Sequence, residues 1–163
     1  MKWIVMGLVA ILVFLAQSVF IPTVFGRPWE PDLILVVFIV LATFRHTRLA
    51  LWIAIIGGLV QDTVISDFFG LHFFPYLLVY YGVSRWAPRV YEEQWYLTIA
   101  TVVVAALADC LIRLIFVAFT GAEVHLLTYL WHFTLPELIA DGIIGWILHK
   151  IMWRSMAQEE YRW

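Results

Sequence analysis

Six apolar stretches, most of them near the length of a membrane-crossing helix, fill nearly the whole chain and leave only short connectors between them. A helix needs about 20 mostly apolar residues to cross a bilayer, and within hydrocarbon its backbone groups must be bonded inside the segment. The stretches are Trp3–Ile21, Pro31–Phe44, Leu49–Ile65, Leu71–Trp86, Trp95–Phe119 and Thr134–Met152. The second and fourth are short, so they are expected to run into their flanking loops or to thin the bilayer locally. Composition points the same way: 64% of residues are apolar and 13% charged, against about 45–50% and about 25% in soluble domains. The expected fold is an all-α integral membrane protein with one transmembrane domain of six helices over residues 1–163. The run after Lys2 is longer than a signal-peptide core and is not followed by a small-x-small cleavage site, so it reads as a retained span.

The connectors carry turn chemistry. Pro22 to Pro28, with Gly26 between, is expected to break the chain after the first span. Pro31 is expected in the first turn of the second span, where Asp32 complements the helix dipole. Arg45-His46-Thr47-Arg48 reads as a basic hairpin, and Ser66 to Gly70 as the link between spans three and four. Thr134-Leu135-Pro136-Glu137 fits a capping box opening the last span. Gly121 to Phe133 is expected to lie along the interface.

Lysine and arginine set the orientation. With both termini in the cytoplasm, the inner side holds Lys2, Arg45, Arg48, Arg85, Arg89, Lys150, Arg154 and Arg162, and the outer loops hold Arg27. This alternation implies a multi-pass protein of the inner membrane.

A net charge of −2 gives no reason to expect nucleic acid. The single cysteine, Cys110, excludes an intrachain disulfide framework and a multi-cysteine metal site. The chain carries no HExxH, GxSxG, phosphate-loop or zinc spacing, and its five histidines are scattered. No catalytic, cofactor or metal site is expected. The informative residues are the charges inside spans: Asp62, Asp109, Arg113 and Asp141, with Glu137 at an edge. Such groups are costly in hydrocarbon and usually face the bundle interior. Asp109 and Arg113 are four apart, so they share a helix face and can pair. On six alternating spans all these charges fall toward the outer ends and are expected to meet in one polar cluster. Such a cluster serves either as an ion network fixing helix packing or as a substrate, proton or partner site; structure or partner docking is favoured over transport. Gly58, with Gly57, and Gly142 with Gly145 read as close helix-packing points. Gly70 is expected to serve the turn before span four.

The region from Pro31 to Val83 resembles a known family, the rod shape-determining protein MreD. The resemblance begins at Pro31-Asp32-Leu33-Ile34-Leu35, continues through the basic turn at residues 45–48, and is strongest around Gly57-Gly58-Leu59-Val60-Gln61-Asp62. The family pattern looks like a glycine, an aspartate four residues on, and Gly-Leu eight residues later; Gly58, Asp62 and Gly70-Leu71 stand at those spacings. The resemblance implies a small non-enzymatic membrane subunit of the bacterial cell-elongation complex. It implies an MreC-like bitopic partner, and beyond it MreB-like filaments and RodA with its transpeptidase, in support of cell shape and peptidoglycan synthesis. The family is also similar in topology to the S-components of vitamin transporters, so the alternative is a subunit that captures a small ligand in an outward-facing pocket. Asp109, Arg113 and Asp141 are not carried over from the family pattern.

Overall fold

The computed structural model describes residues 12–24, 30–44, 46–64, 69–86, 94–119 and 129–160, with backbone alone at 22, 133 and 155–160. The described chain forms six helices and no strand. We label them α1 (12–24), α2 (Leu33–Thr43), α3 (Thr47–Val64), α4 (Phe73–Trp86), α5 (Trp95–Phe119) and α6 (129–160).

Helix α2 is the axis of the bundle. It is apolar on every side, and Leu35, Val36, Phe38, Ile39 and Val40 are all essentially inaccessible. A helix apolar all round must be surrounded, and α2 touches every other helix. The small residues Ala50 and Ala54 of α3 and Ala105 and Ala106 of α5 let their helices close on the core. At about 1.5 Å per residue, α2 is about 16 Å long, half the thickness of a bilayer core. Its brevity therefore does not require thinning: both of its ends lie inside protein, where side chains satisfy the backbone.

The outer surface is apolar as well. Trp52, Ile56, Leu78, Val104, Leu111, Ile115, Ile143 and Ile151 stand exposed on α3 to α6, while Asp32, Gln61, Asp62, Asp109 and Asp141 are buried. Two helices, α3 and α5, are long and apolar enough to cross a membrane, with mean hydropathy 1.2 and 2.5.

Several boundaries differ from the sequence expectation. Residues 3–11 of the first span lie outside the described residues. Pro22 does not end that helix, which continues to Val24. The bond that proline cannot make is absorbed upstream, in a π-turn over Ala16–Phe20 closed by the Ile21 N–H on the Ala16 carbonyl. The same device recurs at Pro136. A π-turn over Leu130–Thr134 ends with the Leu135 N–H on the Leu130 carbonyl, and the helix runs on unbroken to Glu160. Both prolines stand two residues after their π-turn. The capping box expected at Thr134–Glu137 is thus absent: there is no helix start to cap, and the Thr134 hydroxyl lies 3.2 Å from the Cys110 thiol. Residues 129–133 are helical and continuous with α6; 121–128 lie outside the described residues. Leu71 and His72 form a turn, so α4 starts at Phe73. Pro31 precedes the N-cap residue Asp32 and is not yet helical.

Candidate functional site

The polar groups of the bundle gather at the N-terminus of α2. Asp32 caps that helix, its Oδ1 accepting from the Leu35 N–H at 3.1 Å. An aspartate at the N-cap is the ordinary choice, because the first amides of a helix have no partner within it. Here the same carboxylate does more. Its Oδ2 accepts from the Arg113 guanidinium at 2.9 Å and from the Tyr76 hydroxyl at 2.5 Å, while its own N–H donates to Asp141 Oδ1 at 2.8 Å. The next amide, of Leu33, donates to Gln17 Oε1 at 2.7 Å. Asp32 thus ties α2 to α4, α5 and α6, and Leu33 ties it to α1.

Arg113 lies between two carboxylates. Asp109, one turn earlier on α5, is 2.5 Å from its Nη2, and the guanidinium carbon sits 5.6 Å from the Tyr76 ring centroid. The Tyr76 hydroxyl also lies 2.5 Å from Gln61 Oε1. A hydroxyl has one proton to give, so Tyr76 serves Asp32, and the Gln61 amide completes the pair when its NH2 group faces the phenol oxygen.

These groups border a cavity of about 230 Å3, whose wall comes from α1, α3, α5 and α6 and from the residues just before α2 and α4. Gln17 and Ser18 come from the π-turn of α1, Asp32 from the head of α2, Gln61 from α3, His72 from the turn before α4, Arg113 from α5 and Glu137 from α6, with Glu30 at the rim. Not all of its hydrogen-bonding capacity is used. Arg113 Nε and Ser18 Oγ at the wall, and Asp109 Oδ1 and Asp141 Oδ2 behind it, are buried without a partner among the described residues. Neither Glu30 nor Glu137 makes an ion pair among the described residues.

Of the residues singled out in the sequence, Asp109 and Arg113 are in contact, Glu137 shares their cavity, and Asp141 reaches them through the Asp32 amide. Asp62 is anchored chiefly elsewhere. Its carboxylate is taken up by the turn before α4, accepting from the backbone N–H groups of Gly70 at 2.8 Å, His72 at 2.7 Å and Phe73 at 3.1 Å. The His72 ring nitrogen lies 3.2 Å away. Sequence reasoning gave Asp32 only a dipole role and so missed the hub of the network; Gln17, Gln61 and Tyr76 were not singled out at all.

The glycines divide by what faces them. A Cβ on Gly58 would come within 2.7 Å of the Phe73 Cα, a backbone atom that cannot step aside. Gly70 has φ of 101°, where an L side chain is strained. Gly145 faces Val102 at 3.1 Å, whereas Gly142 has ordinary room, with Ile99 and Val103 at 3.6 Å.

A family model for the rod shape-determining protein MreD matches residues 1–157. The chain belongs to the MreD family. No curated protein and no solved structure matches it. The spacing that resembled MreD in the sequence now has a physical account. Gly58 admits the α4 backbone, Gly70 makes the left-handed turn, and Asp62 collects the amides that the turn leaves without partners. In this MreD-family chain that motif is a helix-turn-helix clasp whose His72 reaches the wall of the polar cavity.

Proposed function

We propose that the chain is a non-enzymatic, multi-pass subunit of the bacterial inner membrane that docks an MreC-like bitopic partner at its polar cavity. In this reading it serves the rod complex, with MreB-like filaments and RodA and its transpeptidase as further partners, in support of cell shape and peptidoglycan synthesis. The cavity is the observation that carries the reading. An ion network serving only to hold helices together would close on itself, because bare polar groups in a buried network are costly. This one leaves Arg113 Nε and Ser18 Oγ buried without partners among the described residues, on side chains that line a cavity shared with Glu30 and Glu137. A partner segment can complete that set. The nearest thing to a catalytic pair, Thr98 Oγ1 and His149 Nδ1 at 2.8 Å, is fully buried near the opposite end and closed to any substrate. The apolar exterior supports a membrane location, and the family supports the rod system.

Affinity purification from membranes tests this reading. The expected result is recovery of an MreC-like single-span protein, reduced several-fold by the double change Glu30→Ala and Glu137→Ala while the thermal midpoint stays within a few degrees. Unchanged recovery with the double variant refutes cavity docking. Recovery of ATPase subunits in place of the single-span protein supports the S-component-like alternative, in which the cavity holds a small ligand.

A further inference from the structure

We propose that a second site, away from the polar cavity, holds an anionic glycerophospholipid along the groove between α5 and α6. The inference rests on the membrane location proposed above. The groove has a volume of about 710 Å3 and is almost wholly apolar, with Ile99, Val103, Leu138, Ile139 and Ile143 along its length. Its floor is Gly142, where the missing side chain leaves the two helices in contact without filling the channel. From Leu135 to Lys150 the α6 wall advances about 22 Å at 1.5 Å per residue, more than half of a bilayer core of about 30 Å. That length suits an acyl chain lying parallel to the helices.

One end of the groove is different. Trp95 and Trp146 flank it there, and Lys150 closes it, the Lys150 Nζ resting 4.1 Å from the Trp146 ring centroid. The ring holds the ammonium at the mouth without neutralising it. Arg154 is one turn further along α6 and exposed, and neither cation makes an ion pair among the described residues. An apolar channel capped by indoles and by two cations that have no ion pair among the described residues complements an acyl chain joined to a phosphate. A partner's transmembrane helix would fill the apolar part, but it would leave the paired cations unexplained unless it brought its own acid to that depth.

The test uses the full chain purified in a mild detergent. Carbonate washing of membranes comes first: release into the aqueous fraction would overturn the membrane location and this inference with it. Thermal midpoints are then followed while phosphatidylglycerol or phosphatidylcholine is added in mixed micelles. The expected result is stabilisation by phosphatidylglycerol at lower concentration than by phosphatidylcholine. Each of Lys150→Gln and Arg154→Gln should raise the half-saturating phosphatidylglycerol concentration about fivefold, in line with the usual pull of one surface cation on an anionic lipid. Gly142→Leu should abolish the response to both lipids by filling the channel, with Gly142→Ala as the control that keeps it. Equal responses to the two lipids, or a preference that survives the loss of both cations, would overturn the inference. A photo-crosslinker at Ile143 should attach to lipid; attachment to a polypeptide would mean that a partner helix occupies the groove instead.

Discussion

Asp32 shows how one side chain can satisfy a local rule and a distant one together. In the sequence it complements a helix dipole, and in the structure it does so as the N-cap of α2. Its second role could not be read there, because a carboxylate has more acceptor sites than a cap uses and its strongest partner, Arg113, is 81 residues away. The Asp109–Arg113 pair was legible because helical spacing alone puts the two on one face. Arg113 answers to both acids, which decides what its loss does. Arg113→Ala leaves two buried carboxylates facing each other, and the usual cost of removing one partner from a buried ion pair is about 3–5 kcal/mol. Asp109→Ala should cost less, since Asp32 still holds the guanidinium. The double variant should be milder than the sum, because it leaves a carboxylate still bonded by Tyr76 and the Leu35 amide. Thermal or denaturant unfolding in detergent measures all three; strictly additive losses would show that the two residues do not pair. Asp62→Ala belongs to a different set. It strips the acceptor from three amides and should cost about 1–3 kcal/mol, measured by the same unfolding curves.

At the scale of elements, glycines and prolines set how close and how straight the helices are. The order of harm from a single methyl follows from what it would strike. Gly58→Ala meets backbone and must push α3 from α4. Gly145→Ala meets the Val102 side chain, which can give by a few tenths of an ångström, and Gly142→Ala meets nothing closer than normal contact. Stability should therefore fall in the order Gly58, Gly145, Gly142, with the last close to neutral, and melting curves of the three variants check it. Gly70→Ala should cost about 1–2 kcal/mol for its left-handed backbone alone. Helix existence was legible from apolar length, and so was the packing role of Gly58. The ends were not. In sequence Pro22 looks like a terminator and Pro136 like a helix opener, yet each sits after a π-turn that takes up the missing bond and carries the helix onward. A proline punctuates a chain only where the backbone has no upstream slack to absorb it.

The whole molecule has two unlike ends, and side-chain contacts fix which residues share each. At one end stand the cavity and the Asp32 hub. At the other, the Tyr80 hydroxyl bonds the Thr47 carbonyl at 2.9 Å, Thr98 meets His149, and Phe44 packs on His149 and Trp153. Arg48, Arg85, Lys150 and Arg154 are close in sequence to those residues, so the basic side chains collect away from the cavity. Among the described residues, the four inner-side cations of the alternation read from the sequence thus share one end of the fold. Since an excess of cations belongs on the cytoplasmic side of a membrane, the orientation we propose turns the cavity outward, with both chain ends inward. Cysteine labelling in intact cells tests this directly. Cys110 is buried, so the background is low, and a membrane-impermeant maleimide should modify Glu30→Cys at the cavity rim but not Arg48→Cys or Arg154→Cys until the membrane is opened. The opposite pattern would invert the molecule and place the cavity toward the cytoplasm. Labelling at both ends would mean that the described helices do not share one common pair of faces, and the docking of an outer partner at the cavity would fall with it.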